Sequence, residues 1–290
     1  MPMLTADDDV ELYYEDTGSG TPIVFVHEFA GDYRSWAPQV HHFARRYRCI
    51  TYNARGYPPS AVPDDPQRYS QQRARDDIRC VLDALSIDRA HVVGLSMGAF
   101  ATLHFGMSYP SRPLSLVVAG CGYGAHPDQR AHFQADSQAM ARAMLEKGMQ
   151  HMAETYGHRP ARLQLRDKDP DGFAEFIRLF AEHSARGSAN TMRGYQAQRP
   201  SLYDLAGEMR AITAPLLIVA GDEDDATLEP SLLMKRTIAT AALAVLPKSG
   251  HALNLEEPAL FNRLVEDFIH TTESGRWVAR VPEAPGSQSR

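Results

Sequence analysis

Residues 91–98 read His91-Val92-Val93-Gly94-Leu95-Ser96-Met97-Gly98, an apolar run that ends on a serine between two glycines. Ala99 to Tyr109 follows as a helix, stopped by Pro110. A serine on so tight a strand-to-helix turn is pushed out above the carboxyl edge of a sheet. The flanking glycines leave room where backbone segments pass too close for side chains. The first turn of the helix also offers free N–H groups to a developing negative charge. Ser96 is therefore the candidate nucleophile.

Other apolar runs share the character of His91–Leu95. Ile23–Val26, Tyr47–Tyr52, Leu114–Ala119, Leu216–Ala220 and Leu243–Leu246 are short, apolar and bounded by Gly, Pro or Asp. Such runs fit strands buried on both faces of a parallel sheet. Val10–Thr17 reads as an added antiparallel strand. Between the runs, Gln67–Leu85 carries Ile78, Val81, Leu82 and Leu85 at helical spacing, and Pro258–Ile269 carries Leu260, Phe261, Leu264, Val265 and Phe268. Alternating strands and helices imply a doubly wound, mostly parallel α/β sheet.

Residues 122–209 break that rhythm. They hold no convincing strand but show helical stripes at Met140, Met144 and Leu145, then at Phe173, Phe176, Ile177 and Phe180. A plain loop of roughly 90 residues is not expected inside a compact domain. The organisation read here is a core of residues 1–121 and 210–272, a helical cap inserted at 122–209, and a disordered tail at 273–290.

Composition narrows the function. The chain has 290 residues, 36 acidic against 30 basic side chains, and a formal charge of −6, the opposite of the basic excess usual in a nucleic-acid binder. No apolar run approaches the ~18–20 residues of a membrane span, and the N-terminus, with Asp7, Asp8 and Asp9, is not a secretory signal. Cys49, Cys80 and Cys121 are too few and scattered for a disulfide framework, so a cytoplasmic location is expected. Neither a His-Glu-x-x-His motif nor a P-loop occurs, and Gly18-Ser19-Gly20 precedes its strand and lacks the third glycine of a dinucleotide fingerprint. The expected partner is a small-molecule substrate, with no metal, cofactor, membrane or nucleic acid.

A serine hydroxyl needs a base, and the base needs an orienting acid. His251, in Ser249-Gly250-His251-Ala252, follows the last strand and so lies at the same sheet edge. His27 and His104 are its nearest competitors, and both suit satisfied core histidines better. Gly221-Asp222-Glu223-Asp224-Asp225 follows the preceding strand. Asp224 is the chosen acid, with Asp225 the alternative; Asp222 is expected to tie the loop and Glu223 to be solvated. Nothing places a base beside Cys121.

The order serine, acid, histidine matches one triad architecture among several. With His27-Glu28-Phe29-Ala30-Gly31, Tyr52-Asn53-Ala54-Arg55-Gly56, Gly94–Gly98, Gly221–Asp224 and Gly250-His251, the sequence resembles an α/β-hydrolase fold protein of the esterase, haloperoxidase and lactonase type over about Val10–Ile269. The resemblance implies that the backbone N–H groups of Phe29 and Met97 form an oxyanion hole. Two departures stand out. Glu28 occupies a position where the family usually has Gly, and Asn53 one where it usually has Asp. Two expectations stand side by side for Glu28: a pairing with Arg55 that fixes the oxyanion loop, or a solvated glutamate.

The residues point to a cofactor-free serine hydrolase acting on a small or medium carboxylic ester or lactone. A carbon–carbon bond or enol-lactone hydrolase is the alternative; the cap shows no obvious carboxylate clamp, though Arg193 and Arg199 could serve. A perhydrolase and a non-enzymatic small-molecule receptor are further readings of the same fold. Glu28, Cys121, Tyr123, Met144 and Phe176 are the candidate pocket residues, and any single Met or Phe of the cap stripes is more often cap core than pocket lining.

Overall fold

The computed structural model describes residues 1–281. Its strands are β1 (Met3–Thr5), β2 (Glu11–Gly18), β3 (Pro22–Val26), β4 (Arg48–Tyr52), β5 (Ala90–Leu95), β6 (Pro113–Ala119), β7 (Leu216–Gly221) and β8 (Ala241–Leu246). They form one sheet in the order β1-β2-β4-β3-β5-β6-β7-β8. β1 and β2 are antiparallel to their neighbours, and every pairing from β4 to β8 is parallel. β5 ends at Leu95, just before Ser96, near the centre of this order, where β3, β6 and β7 bring their own carboxyl ends to the same edge.

Alternation along each strand feeds two cores. Val24, Val26, Val92, Leu116, Val118 and Ile218 pack on one face with Ile78, Val81, Ala99 and Leu103. Ile23, Phe25, Val93, Leu95, Val117 and Val219 pack on the other with Trp36, Phe43, Phe261 and Val265. Both faces are therefore covered, and the strands read as continuous apolar runs.

The helices are α1 (Ala37–Phe43), α2 (Gln71–Ala84), α3 (Met97–Ser108), α4 (Arg130–Thr155), α5 (Leu163–Lys168), α6 (Pro170–Ala181), α7 (Ala185–Asn190), α8 (Ala206–Arg210), α9 (Asp225–Thr237), α10 (Leu253–Glu256) and α11 (Pro258–Glu273). α4 breaks at Gly148, whose φ of 80° is non-helical, and Thr191–Gln196 winds as a π-helix. α4 to α7 and this π-helix share a third apolar cluster with Phe29, Ala30, Tyr57, Met97 and Ala252, so the inserted helices pack on the loops at the sheet's carboxyl edge.

β1, α1, α9 and α10 were not expected from sequence. β1 is short; α1 spans only two turns; α9 carries Pro230 in its interior, which masks its periodicity. The expected disorder from residue 273 needs correction. Trp277 packs edge-on against Phe268 with ring centroids 4.6 Å apart, and its indole N–H donates to the Thr240 carbonyl at 2.7 Å. Residues 282–290, the rest of that expected tail, lie outside the described residues.

Candidate active site

Ser96 sits between β5 and α3 with φ 53° and ψ −112°. A positive φ at a non-glycine residue costs energy and persists only where the surroundings over-determine it. Here Ser96 N–H donates to the Ala119 carbonyl of β6 at 2.8 Å, and Phe100 N–H donates back to the Ser96 carbonyl at 3.0 Å. A Cβ on Gly98 would lie 2.1 Å from the Val26 carbonyl oxygen, and one on Gly94 would lie 2.3 Å from the Gly98 oxygen. No side chain fits either position, which is why the serine stands between glycines.

His251 and Asp224 meet across the ends of β8 and β7. His251 Nδ1 lies 2.7 Å from Asp224 Oδ2, and Asp224 is wholly buried. The carboxylate accepts from Nδ1–H, which leaves the Nε2 lone pair free. Thr227 Oγ1 donates to the Asp224 carbonyl at 2.9 Å and lies 3.3 Å from Oδ2, tethering the acid to the first turn of α9. Asp225 is exposed, as is Glu223, whose carboxylate lies 3.4 Å from Lys248 Nζ. Asp222 ties the loop by accepting from Ser249 N–H at 3.1 Å.

The His251 backbone is held from three directions. Its own N–H donates to the Ala161 carbonyl at 2.7 Å. Glu256, inside α10, accepts from Gly250 N–H at 2.6 Å and from Ala252 N–H at 2.9 Å. Sequence reading missed Glu256; its spacing from Gly250 and Ala252, with the carboxylate reaching back over a short helix, was the available signal.

Ser96 and His251 line one cavity of about 230 Å³. Ser96 Oγ makes no hydrogen bond with any described residue. The N–H groups of Phe29 and Met97 likewise have no acceptor among the described residues; Met97 follows Ser96 in the chain and shares an apolar cluster with Phe29. Their backbones are held in place: Tyr57 Oη donates to the Phe29 carbonyl at 3.0 Å and Tyr195 Oη to the Met97 carbonyl at 2.6 Å.

The peptide joining Glu28 to Phe29 is fixed by two further contacts. His27 Nδ1 donates to the Glu28 carbonyl at 2.7 Å, and His27 Nε2 accepts from Ala54 N–H at 3.0 Å. Both ring nitrogens are thus engaged in a neutral imidazole, and burial pushes the His27 pKa down to about 4. His27 is a structural histidine. His104 is buried in α3, and burial likewise lowers its pKa to about 4.

The Glu28 side chain does not pair with Arg55. Arg55 points beneath the N-terminal strands, to Asp77 at 2.6 Å and Asp8 at 2.7 Å. Glu28 instead receives a bidentate grip from Arg162, at 2.9 Å and 2.5 Å, with both side chains no more than 3% exposed. Burial works to raise the Glu28 pKa, but the Arg162 guanidinium outweighs it and keeps the carboxylate below its ordinary value. The inserted helices deliver Arg162, which sequence alone did not single out. Asn53 uses its amide fully: Nδ2 donates to the Tyr57 and Pro58 carbonyls at 3.2 Å and 2.8 Å, while Oδ1 accepts from Tyr33 N–H at 2.8 Å.

Of the expected pocket residues, only Tyr123 lines the cavity, its ring edge-on to His251 at 5.1 Å. Glu28 is turned to Arg162, and Cys121 lies in the sheet core, where burial pushes its thiol up to about 12. Met144 and Phe176 belong to the cluster that packs the inserted helices together. The insertion brings both kinds of side chain to the cavity: apolar Phe133, Met140, Tyr156 and Met192, and polar or charged His132, Asp136, Arg159, Arg162, Gln196 and Arg199. Arg193 does not line it.

Comparison with known proteins agrees with this architecture. The family model described as alpha/beta hydrolase fold matches residues 21–258. The chain is similar to 3-oxoadipate enol-lactonase 1 of Acinetobacter baylyi, at 27% identity over 87% of this chain and 89% of that protein. It is similar also to the 2-hydroxy-6-oxononadienedioate/2-hydroxy-6-oxononatrienedioate hydrolase of Paraburkholderia xenovorans, at 26% identity over 91% and 92% of the two chains. Among solved structures, a hydrolase from Pseudomonas aeruginosa superposes with a TM-score of 0.82 at 25% identity, covering 92% of this chain and 97% of the other.

Proposed function

Because the chain belongs to the alpha/beta hydrolase fold family, we propose that it is a serine hydrolase that cleaves a small or medium carboxylic ester or lactone through an acyl-enzyme on Ser96. The observation that carries this reading is the 2.7 Å contact between Asp224 and His251 Nδ1, with His251 lining the same cavity as Ser96. The acid fixes the tautomer, so Nε2 faces the reaction as a base.

In this reading His251 Nε2 takes the Ser96 proton as Oγ attacks the carbonyl carbon. The oxyanion that forms is met by the Phe29 and Met97 N–H groups, which are held before the charge develops and therefore need no reorganisation. As the tetrahedral species collapses, the carbon–oxygen bond to the alcohol breaks and His251 returns the proton to the leaving oxygen. Water then enters, gives its proton to His251 and attacks the acyl carbon, and Ser96 recovers its proton as the acid departs. The three cysteines are free and buried, which suits a reducing compartment such as the cytoplasm.

A second reading, cleavage of an enol lactone or of a carbon–carbon bond next to a carbonyl, is favoured by the activities for which the two relatives are named. It uses the same three side chains.

The test is intact-protein mass after treatment with a fluorophosphonate, on the native chain and on Ser96→Ala, together with hydrolysis of p-nitrophenyl esters of rising chain length. Labelling and turnover that vanish together in Ser96→Ala support the reading. Absence of both from the native chain overturns it and moves a receptor role to first place.

A further inference from the structure

The cavity beside Ser96 contains a cation without a counter-ion. Three arginines line it. Arg162 is neutralised by Glu28, and Arg159 lies 3.2 Å from Asp136. Arg199 is 3% exposed and contacts no carboxylate among the described residues. Its guanidinium stacks 3.7 Å over the Phe100 ring, and it donates to the Gln196 side-chain oxygen and the Tyr123 carbonyl, both neutral acceptors. Those two contacts leave most of its five N–H donors unused. Gln196 lines the same cavity, and its Nε2 has no partner among the described residues.

A buried charge is costly unless it is paired, and proteins commonly neutralise or pair such groups. Arg199 has no neighbouring acid among the described residues to serve it, and burial lowers its pKa only to about 10, so it stays charged at neutral pH. The whole chain, by contrast, carries −6. An overall acidic protein has thus placed an unneutralised guanidinium and an amide N–H donor in the cavity of its candidate nucleophile.

We propose that Arg199 and Gln196 form a subsite for a carboxylate carried by the substrate, so that the natural ester or lactone is an anion with its charge remote from the bond that is cut. This deepens the hydrolase reading and rests on it for the identity of the scissile bond. A guanidinium matches a carboxylate in a planar, two-point fashion, and the stacked Phe100 ring keeps it from following a flexible path. The remote charge would fix which end of the substrate meets Ser96.

The experiment compares two p-nitrophenyl esters of equal reach, the mono-ester of glutaric acid and the valerate. The expected kcat/KM ratio favours the glutarate by about tenfold or more in the native chain. In Arg199→Met the ratio falls to about one or below, and Arg199→Lys keeps part of it. A native ratio near one, or one that Arg199→Met leaves intact, overturns the proposal. Calorimetric titration of Ser96→Ala with glutarate and with dimethyl glutarate supplies a second readout that needs neither turnover nor a folded Arg199 variant. Selective binding of glutarate supports the subsite; equal or absent binding of the two removes it. Failure of fluorophosphonate labelling with selective glutarate binding would instead sink the catalytic reading and leave the anion site standing.

Discussion

The two walls of the cavity are built on different rules. On the sheet side, Ser96, Asp224 and His251 sit at or just beyond strand ends, and each is fixed by backbone hydrogen bonds to its neighbours. On the inserted side, His132, Asp136, Arg159, Arg162, Gln196 and Arg199 come from helices and turns that meet only in three dimensions. In the proposed reading the sheet wall holds the reacting groups still, and the inserted wall supplies charge and shape. Several contacts form the junction between them: Ala161 accepts from His251 N–H, Arg162 grips Glu28 beside Phe29, Tyr195 donates to the Met97 carbonyl and Arg199 stacks on Phe100. In the same reading, chemistry and substrate choice thus fall on separate pieces of chain.

The largest expected difference between the walls lies in kcat. Asp224→Asn keeps the side-chain shape but leaves His251 in the wrong tautomer, and a loss of about 10³–10⁴-fold in kcat is expected. Arg159→Ala, on the opposite wall and half-exposed, is expected to change kcat by less than about threefold, since it faces substrate and not the proton path. Steady-state kinetics on both variants checks this. A kcat loss at Arg159 approaching that of Asp224 would erase the division of labour.

At the junction both kinds of effect should appear together. Removing one partner of a buried ion pair strands the other, at about 3–5 kcal/mol. Arg162→Met is therefore expected to lower stability by that order and, by loosening the peptide that carries Phe29 N–H, to lower kcat by about 10–100-fold. Glu28→Gly with Arg162→Met removes both charges and should recover much of the lost stability. Urea unfolding and kinetics of the two single variants and the double form the cycle. Simple additivity would show that Glu28 and Arg162 act apart.

How much of this was legible follows the same division. The elbow around Ser96, the strand order of chemistry and the choice of Asp224 over Asp222 and Asp225 could be read because strand ends sit next to each other in a parallel sheet, so sequence position implies spatial position. The tie from Asp222 to Ser249 was legible for that reason too. The inserted wall was not. Its Met and Phe stripes stand out by periodicity, and Met140 does line the cavity, yet Met144 and Phe176 serve the packing of the insert, and the polar residues of the lining have no pattern of their own. Glu28 pointed to a special contact, but the nearest arginine along the loops, Arg55, was already held by Asp77 and Asp8. Arg162 became the partner only when Pro160–Arg162 folded over the loop.

Acid should affect the sheet layers through their own histidines. His27, His91 and His104 are buried, and burial lowers each pKa to about 4. The insert's His132 and His158 are exposed. Unfolded, the three buried rings titrate near 6.5. The unfolded state therefore takes up protons first, so their stabilising contribution is whole above about 6.5 and is lost as pH falls toward about 4, at up to ~3 kcal/mol each. Urea midpoints between pH 7.5 and 4.5 should fall steeply, and His104→Gln should flatten the slope. A flat profile would mean that these rings are already solvated in the folded state.

The smallest effect concerns Asn53, at the turn that carries Tyr57 toward Phe29. Asn53 donates to two carbonyls and accepts from one N–H. Asn53→Asp keeps the acceptor and sets a carboxylate against the Tyr57 and Pro58 carbonyl oxygens, with no proton to share. A loss of about 1–3 kcal/mol is expected from those unmade bonds. Tyr57 would still reach the Phe29 carbonyl from a loosened turn, so kcat should fall by less than about fivefold. The loss should shrink below about pH 4, where the introduced carboxyl group takes up a proton and regains a donor. Thermal melting of Asn53→Asp and the native chain at pH 7 and pH 4 measures the difference. If the gap between them stays constant with pH, the amide's two donated bonds are not what holds this turn, and the sheet wall would be less self-supporting than its hydrogen bonds imply.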